Sequence, residues 1–383
     1  MRICVVSESH PLAYMGGAEY QTGLLTDLLC RRPDVSLTFL ARHVPSPEVQ
    51  RTLPYAVRCI GRSVGIRRRA VFFDAPELWR ALTEIRPDVI YQQAKQSYTL
   101  VCAQYARRHN IPFFYQVASD ADLDHRWIML HVSANTPFEV VESLAGDCGI
   151  RRASHVAVQT QRQAEALRCR FGRAPAALVH NFQPIPEALP VKPDGPLKIL
   201  WVANFKDVKR PALFMDLAES FAGNPNLQFV MVGRPSRLRR FAVTMARASR
   251  IPNLTYLGAQ PVERVCELMS EAAIHVNTSS FEGFPNTFIQ AWSYGAVVTS
   301  VAVDPDQCME RERIGFCAGS MENLHALIVR LAASPEERRE TAVRAFEFAR
   351  THHSLAEGER FAELIVSTAR NNPGGLAKMA PAY

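Results

Sequence analysis

The residues of this chain best suited to chemistry gather in two stretches of its second half. One is Ser279-Ser280-Phe281-Glu282-Gly283-Phe284-Pro285-Asn286-Thr287-Phe288-Ile289-Gln290-Ala291. Pro285 and Asn286 are natural cap or first-turn residues, so a helix is predicted from there to Tyr294, ended by Gly295. The first-turn amides of such a helix are unpaired, and with the helix dipole they form an anion site. Gly283 lets the backbone approach a ligand closely, Glu282 can accept hydrogen bonds from hydroxyls, and Gln290 falls about one turn further in. The other stretch, 201–211 (Trp-Val-Ala-Asn-Phe-Lys-Asp-Val-Lys-Arg-Pro), offers the cations Lys206, Lys209 and Arg210.

Two features of the first half read in more than one way. Gly16 and Gly17 lie in a long loop after the first strand-like run. They are either a simple turn or backbone amides facing an anionic group ahead of a helix N-terminus. The loop is not GxGxxG and no acidic residue stands out at a ribose position, which disfavours a dinucleotide oxidoreductase. Asp120-Ala121-Asp122, inside 116–124 (QVASDADLD), is a D-x-D triplet, a metal-diphosphate motif in some proteins and ordinary turn chemistry in most. No metal and no cofactor is expected.

The elements that must hold these residues alternate. Strand-like runs at 2–6, 36–41, 88–91, 112–117 and 154–158 are separated by helical stretches such as 75–85 and 99–109. A helical stretch also follows the glycine loop, from about Glu19 to Arg31. This is the pattern of parallel βα units with helices on both faces. It breaks at Pro184, Pro186, Pro190, Pro193 and Pro196, a linker signal, and restarts with strand-like runs at 198–203, 227–232, 254–257, 273–277 and 296–301. The chain therefore reads as an N-terminal domain over 1–183, a Pro-rich linker over 184–197 and a C-terminal domain over 198–350. The segment 351–383 reads as a helix packing back on the first domain, followed by a loose tail. The expected fold is α/β, two Rossmann-like doubly wound parallel sheets facing across a cleft, with ligands beyond the C-terminal strand ends.

With 383 residues, 48% hydrophobic and 21% charged, the chain is neither disordered nor a small disulfide scaffold. Residues 1–183 carry 22 Lys and Arg against 16 Asp and Glu, so nearly all of the +7 formal charge lies there; its densest part is Arg62, Arg67, Arg68 and Arg69. That bias suggests an anionic partner such as lipid headgroups. The nine cysteines show no CxxC pair and read as reduced thiols of a cytosolic protein. MRICVVSESH is not read as a signal peptide, and no run approaches the ~18 apolar residues of a spanning helix, so any membrane contact is expected to be peripheral.

The 279–291 segment resembles the C-terminal signature of retaining, nucleotide-sugar-dependent glycosyltransferases of family 4, which have the GT-B fold. That signature is E-G-[FL]-[PG]-x-x-x-x-E-A. Gly16-Gly17-Ala18-Glu19 resembles the glycine-rich loop of that family, and 153–167 with Val179-His180-Asn181 resembles the end of its N-terminal domain. Gly258, Gly283 and Gly295 fall where its C-terminal domain keeps glycines. The resemblance covers most of the chain.

By this resemblance Glu282 lies near the donor sugar, and the ribose-binding glutamate is replaced by Gln290. The exchange of a charged for a neutral acceptor costs about 1 kcal/mol of ribose binding. Lys209 matches the family's diphosphate lysine, while its arginine position holds Asn204, leaving Lys206 or Arg210 to supply a second charge. Gly16, Gly17, Gly283, Phe284, Pro285, Asn286 and Thr287 complete the donor-binding set. The family's N-terminal histidine has no counterpart at 116–124, where Ser119, Asp120 or Asp122 is the substitute and His125 the nearest imidazole. Asp120 joins Glu282 and Lys209 as the catalytic candidates.

The resemblance implies a retaining, metal-independent hexosyltransferase that moves a sugar from a nucleotide diphosphate to a glycan or lipid-linked acceptor in cell-surface polysaccharide biosynthesis. It would work in the cytoplasm against an anionic membrane face, its two domains closing to exclude water. The competing readings are a nucleotide-sugar epimerase and a non-catalytic sugar-nucleotide-binding protein. Nucleic acid is not an expected partner, because the basic bias is modest and no stacking motif accompanies it.

Overall fold

The computed structural model describes residues 1–61, 70–124, 136–235 and 245–372. Arg62, Arg67, Arg68, Arg69, His125 and the tail from 373 lie outside them. The chain divides into two compact units, Met1–Asn181 with Ala356–Tyr383, and Phe182–Leu355.

The first unit is built on a seven-stranded sheet of order β3-β2-β1-β4-β5-β6-β7. Its strands are β1 Arg2–Ser9, β2 Ser36–His43, β3 Ala56–Cys59, β4 Val89–Gln93, β5 Phe113–Gln116, β6 His155–Val158 and β7 Ala177–Leu178. Every pairing is parallel. The helices are α1 Gly17–Cys30, α2 Pro47–Gln50, α3 Ala75–Ile85, α4 Ser97–His109, α5 Thr136–Arg152 and α6 Gln161–Phe171. Cys4, Val6, Leu40, Ile90, Phe113, Tyr115, Val156 and Val158 project to one face, where they meet Leu78, Leu82, Cys102, Ala106, Leu167 and Phe171. The opposite face presents Tyr91 and Phe114. Phe361 of the last helix, α13 Leu355–Arg370, meets both rings edge-on, and Arg370 pairs with Asp34 at 2.5 Å.

The second unit holds six parallel strands in the order β10-β9-β8-β11-β12-β13. They are β8 Leu197–Val202, β9 Leu227–Val232, β10 Leu254–Tyr256, β11 Ile274–Asn277, β12 Val297–Ser300 and β13 Gly315–Cys317. Its helices are α7 Pro211–Ser220, α8 Val262–Glu271, α9 Asn286–Ser293, α10 Cys308–Glu312, α11 Met321–Ala333 and α12 Pro335–His352. Alternate strand residues feed two cores, as pleating requires. Ile199, Trp201, Phe229, Met231, Ile274 and Val276 join one, and Leu200, Val230, Val232 and Val298 the other. Strands buried on both faces explain why the sequence shows continuous apolar runs rather than alternation. Two Rossmann-like domains, the expected fold class, are present.

The Pro-rich segment is fixed to the second unit by Lys192, whose Nζ donates to Met269 O at 2.9 Å and Tyr294 O at 2.7 Å. Those carbonyls lie at the C-terminal ends of α8 and α9, where a cation is favoured.

Candidate functional site

In the second sheet β8 and β11 are neighbours although far apart in sequence. The strand order reverses there, which places ligand-binding loops beyond Val202 and Asn277. The two candidate stretches are those loops, and they are stitched together. Arg210 Nε donates to Thr278 O at 2.6 Å and Nη2 to Ser279 O at 3.0 Å. Ser280 N donates to Val208 O at 2.9 Å, and Thr278 Oγ1 to Lys209 O at 2.6 Å. Trp201 Nε1 holds Thr278 Oγ1 from below at 2.9 Å. Arg210 has φ 46° and ψ 55°, a left-handed conformation costly for a side-chain-bearing residue and maintained here by those bonds. Gly233 lies against the same loop: a Cβ on it would stand 1.8 Å from Ala203 O.

The stitching brings Lys209 to Glu282. Lys209 Nζ and Glu282 Oε1 form an ion pair, and Ser279 Oγ donates to the same oxygen at 2.7 Å. Both side chains are largely covered, with 24% and 14% of their surface exposed. The helix that follows, α9, starts after Pro285 and ends at Ser293, with Gly295 at φ 76° just beyond. Asn286 and Thr287 are half-buried in its first turn. Phe284 is a core residue, against His353 and Trp292 at ring distances of 4.7 and 6.0 Å, and it anchors the loop. Gln290 is buried, and its side-chain amide has no hydrogen-bond partner among the described residues. Asn204 Oδ1 accepts from Arg234 N at 3.3 Å, and Lys206 is exposed. Of the two candidates for a second charge, Arg210 is close but its guanidinium is committed to carbonyls.

Sequence reasoning missed His275, buried on β11. Its Nδ1 lies 3.1 Å from Leu200 O and its Nε2 has no partner among the described residues; burial, with Lys209's charge nearby, pushes its pKa down to about 4. Only strand pairing brings it under the site, so no local signal pointed to it.

In the first unit, Gly16 is the residue before α1, which begins at Gly17 rather than near Glu19. A Cβ on Gly16 would stand 2.5 Å from Glu19 Oε2, so the first turn folds tightly over this position. The Asp120-Ala121-Asp122 triplet does not point at one place. Asp120 Oδ1 accepts from Gln163 Nε2 at 3.1 Å and Oδ2 pairs with Arg162 at 3.4 Å, both on α6. Asp122 turns inward to Tyr115 OH at 3.0 Å and Ala118 N at 2.8 Å, and burial raises its pKa. Among the described residues no three metal-ligating side chains cluster. No helix of the described residues is long and apolar enough to cross a membrane.

Residues 187–347, which contain both stitched loops, match the family model described as glycosyl transferases group 1. The chain carries a glycosyl transferases group 1 domain. A comparison of the whole sequence with curated proteins finds no match. Solved structures with the same two-domain fold include sucrose-phosphate synthase from Thermosynechococcus elongatus, at 15% identity and TM-score 0.75 over 96% of this chain and 98% of that one. Anabaena HepE, solved in complex with UDP-glucose, aligns at 16% identity and TM-score 0.74 over 96% and 100%. WaaG, a glycosyltransferase involved in lipopolysaccharide biosynthesis, aligns at 13% identity and TM-score 0.73 over 95% and 99%. At these identities the likeness establishes the fold, GT-B.

Proposed function

We propose that this protein is a retaining, metal-independent glycosyltransferase that moves a hexose from a nucleotide diphosphate sugar to a glycan or lipid-linked acceptor, in the cytoplasm. One observation carries the reading: a lysine and a glutamate from two separate loops meet at the strand-order reversal of the group 1 domain, beside the first turn of α9. That the similar Anabaena protein binds UDP-glucose supports the donor class.

Glycosyl transfer passes through an oxocarbenium-like state with a departing diphosphate. Lys209 and the first-turn amides of α9 neutralise that leaving group, working where partial burial strengthens their field. Glu282, held by Ser279, accepts hydrogen bonds from the donor sugar once Lys209 turns to phosphate. Arg210 positions both loops rather than touching the donor, and Gln290 faces the ribose with a neutral amide. The basic first half binds the acceptor and an anionic membrane face.

The test is a thermal-shift panel of UDP-, GDP- and ADP-sugars, because a ligand selective for the native state raises its stability. One family of donors is expected to stabilise the protein; no shift with any contradicts the reading. The anomeric configuration of the product, read by NMR, then checks retention.

A further inference from the structure

A second polar assembly occupies the C-terminal ends of β1 and β2 in the first unit. Register pairs Ser7 with Ala41 and Ser9 with His43, which sets Glu8 beside Arg42 on the face of Val6 and Leu40. Val6 pairs with Gln92, so Gln92 lies on that same face of the adjoining β4, one step behind Glu8. The sheet reverses strand order here too, β1 lying between β2 and β4.

The cations and donors around Glu8 are committed elsewhere. Arg42 Nε donates to Asp74 Oδ2 and Nη2 to Ala70 O, both at 2.6 Å. Tyr98 OH donates to Asp74 Oδ2 at 2.8 Å, and His43 Nδ1 bonds Ser9 Oγ at 3.1 Å. Glu142 accepts from Phe72 N and Ser97 N. Among the described residues Glu8 itself has no hydrogen bond or ion pair, although it is half-buried. Gln92 Oε1, fully buried, is also without a partner among the described residues. Just beyond Gln92 and Gln93, Ala94 holds φ 72°, a strained value for an alanine and a common mark of a functional turn.

A part-buried carboxylate without a donor is costly unless a ligand supplies one. Among the described residues around it, Glu8, Asp74 and Glu142 outnumber Arg42, a balance that favours a neutral hydroxyl over an anionic group as the partner of Glu8. We propose that Glu8 binds a hydroxyl of the carbohydrate acceptor at the strand-order reversal of the first unit. This rests on the proposed glycosyl transfer and adds to it a specificity residue on the acceptor side.

Burial raises the Glu8 pKa; Glu142 and Asp74 raise it further, while His43 and Arg42 oppose them. The phenol of Tyr98 also faces this group. The protonated acid is the poorer acceptor, so acceptor binding falls as pH drops through the raised Glu8 range.

The test uses the full chain, with methyl α-glucoside, α-galactoside and α-mannoside as probes, their binding measured by saturation-transfer NMR across pH. Wild type is expected to bind at least one, and Glu8→Gln to weaken it about tenfold and flatten its pH dependence. The thermal midpoint of the variant should be unchanged or higher, since no native bond is lost. Binding of none by wild type, or equal binding by Glu8→Gln, overturns the inference, as does a lowered midpoint with unchanged binding. UDP-sugar hydrolysis by the same samples judges the glycosyltransferase reading separately, because Glu8 lies outside the donor loops.

Discussion

Replacing Glu282 by Gln should have two effects of opposite sign. In the free protein Lys209 is held by Glu282, so a diphosphate must displace that carboxylate to reach the ammonium. The pair retains some solvent contact, 24% and 14%, so its net value is set by screened rather than interior electrostatics. That makes it worth about 0.5–1 kcal/mol. Glu282→Gln removes this competition and should tighten UDP binding about two- to fivefold, the ratio given by that energy. Sugar transfer should fall at least about tenfold, because a charged acceptor for the donor hydroxyls is lost. Isothermal titration with UDP and initial transfer rates read the two effects on one sample. The affinity gain should shrink as salt is raised. Weaker or unchanged UDP binding would refute the claim that Lys209 is shared between carboxylate and phosphate.

Other expectations follow from the same loops and cores. Arg210→Lys keeps the charge but loses the fork to Thr278 O and Ser279 O, so thermal stability should fall by about 1–3 kcal/mol and UDP binding should weaken. Gly233 has φ 154° and no room for a Cβ against Ala203 O; Gly233→Ala should cost about 3 kcal/mol or more by denaturant unfolding. His275 has its folded pKa lowered to about 4, so the stability it contributes is present above its ordinary pKa and lost as pH falls from about 6.5 towards 4. His275→Gln should make the acid limb of the stability curve shallower, by up to about 1.4 kcal/mol per pH unit; an unchanged slope contradicts a neutral buried imidazole.

Both sheets were legible in the sequence because their central strands are buried on two faces and read as unbroken apolar runs, RICVV and LQFVMV among them. The strands that escaped notice are β3, β7 and β13, two to four residues long, at or next to sheet edges where burial demands little of composition. The start of α9 was legible for a local reason, since Pro285 cannot continue a strand and suits a helix start. Contacts set by distant pairing were not legible. Arg210 reads as a phosphate cation until its carbonyl partners, nearly seventy residues away, are seen. Glu8 lies beyond the apolar run at 2–6 and carries no signal of its own until β1 is seen to extend to Ser9 and Arg42 beside it is found committed to Asp74. Asp120 and Asp122 read as a pair, yet the 3-10 turn they form sends them to different partners.

The most direct measurement is release of nucleoside diphosphate from UDP-, GDP- and ADP-sugars by wild type and Glu282→Ala side by side. The Lys209–Glu282 site predicts that wild type turns over one class of donor and that the variant loses most of that turnover. No turnover of any donor by wild type, or equal turnover by the variant, would contradict the assignment of these two loops as the donor site.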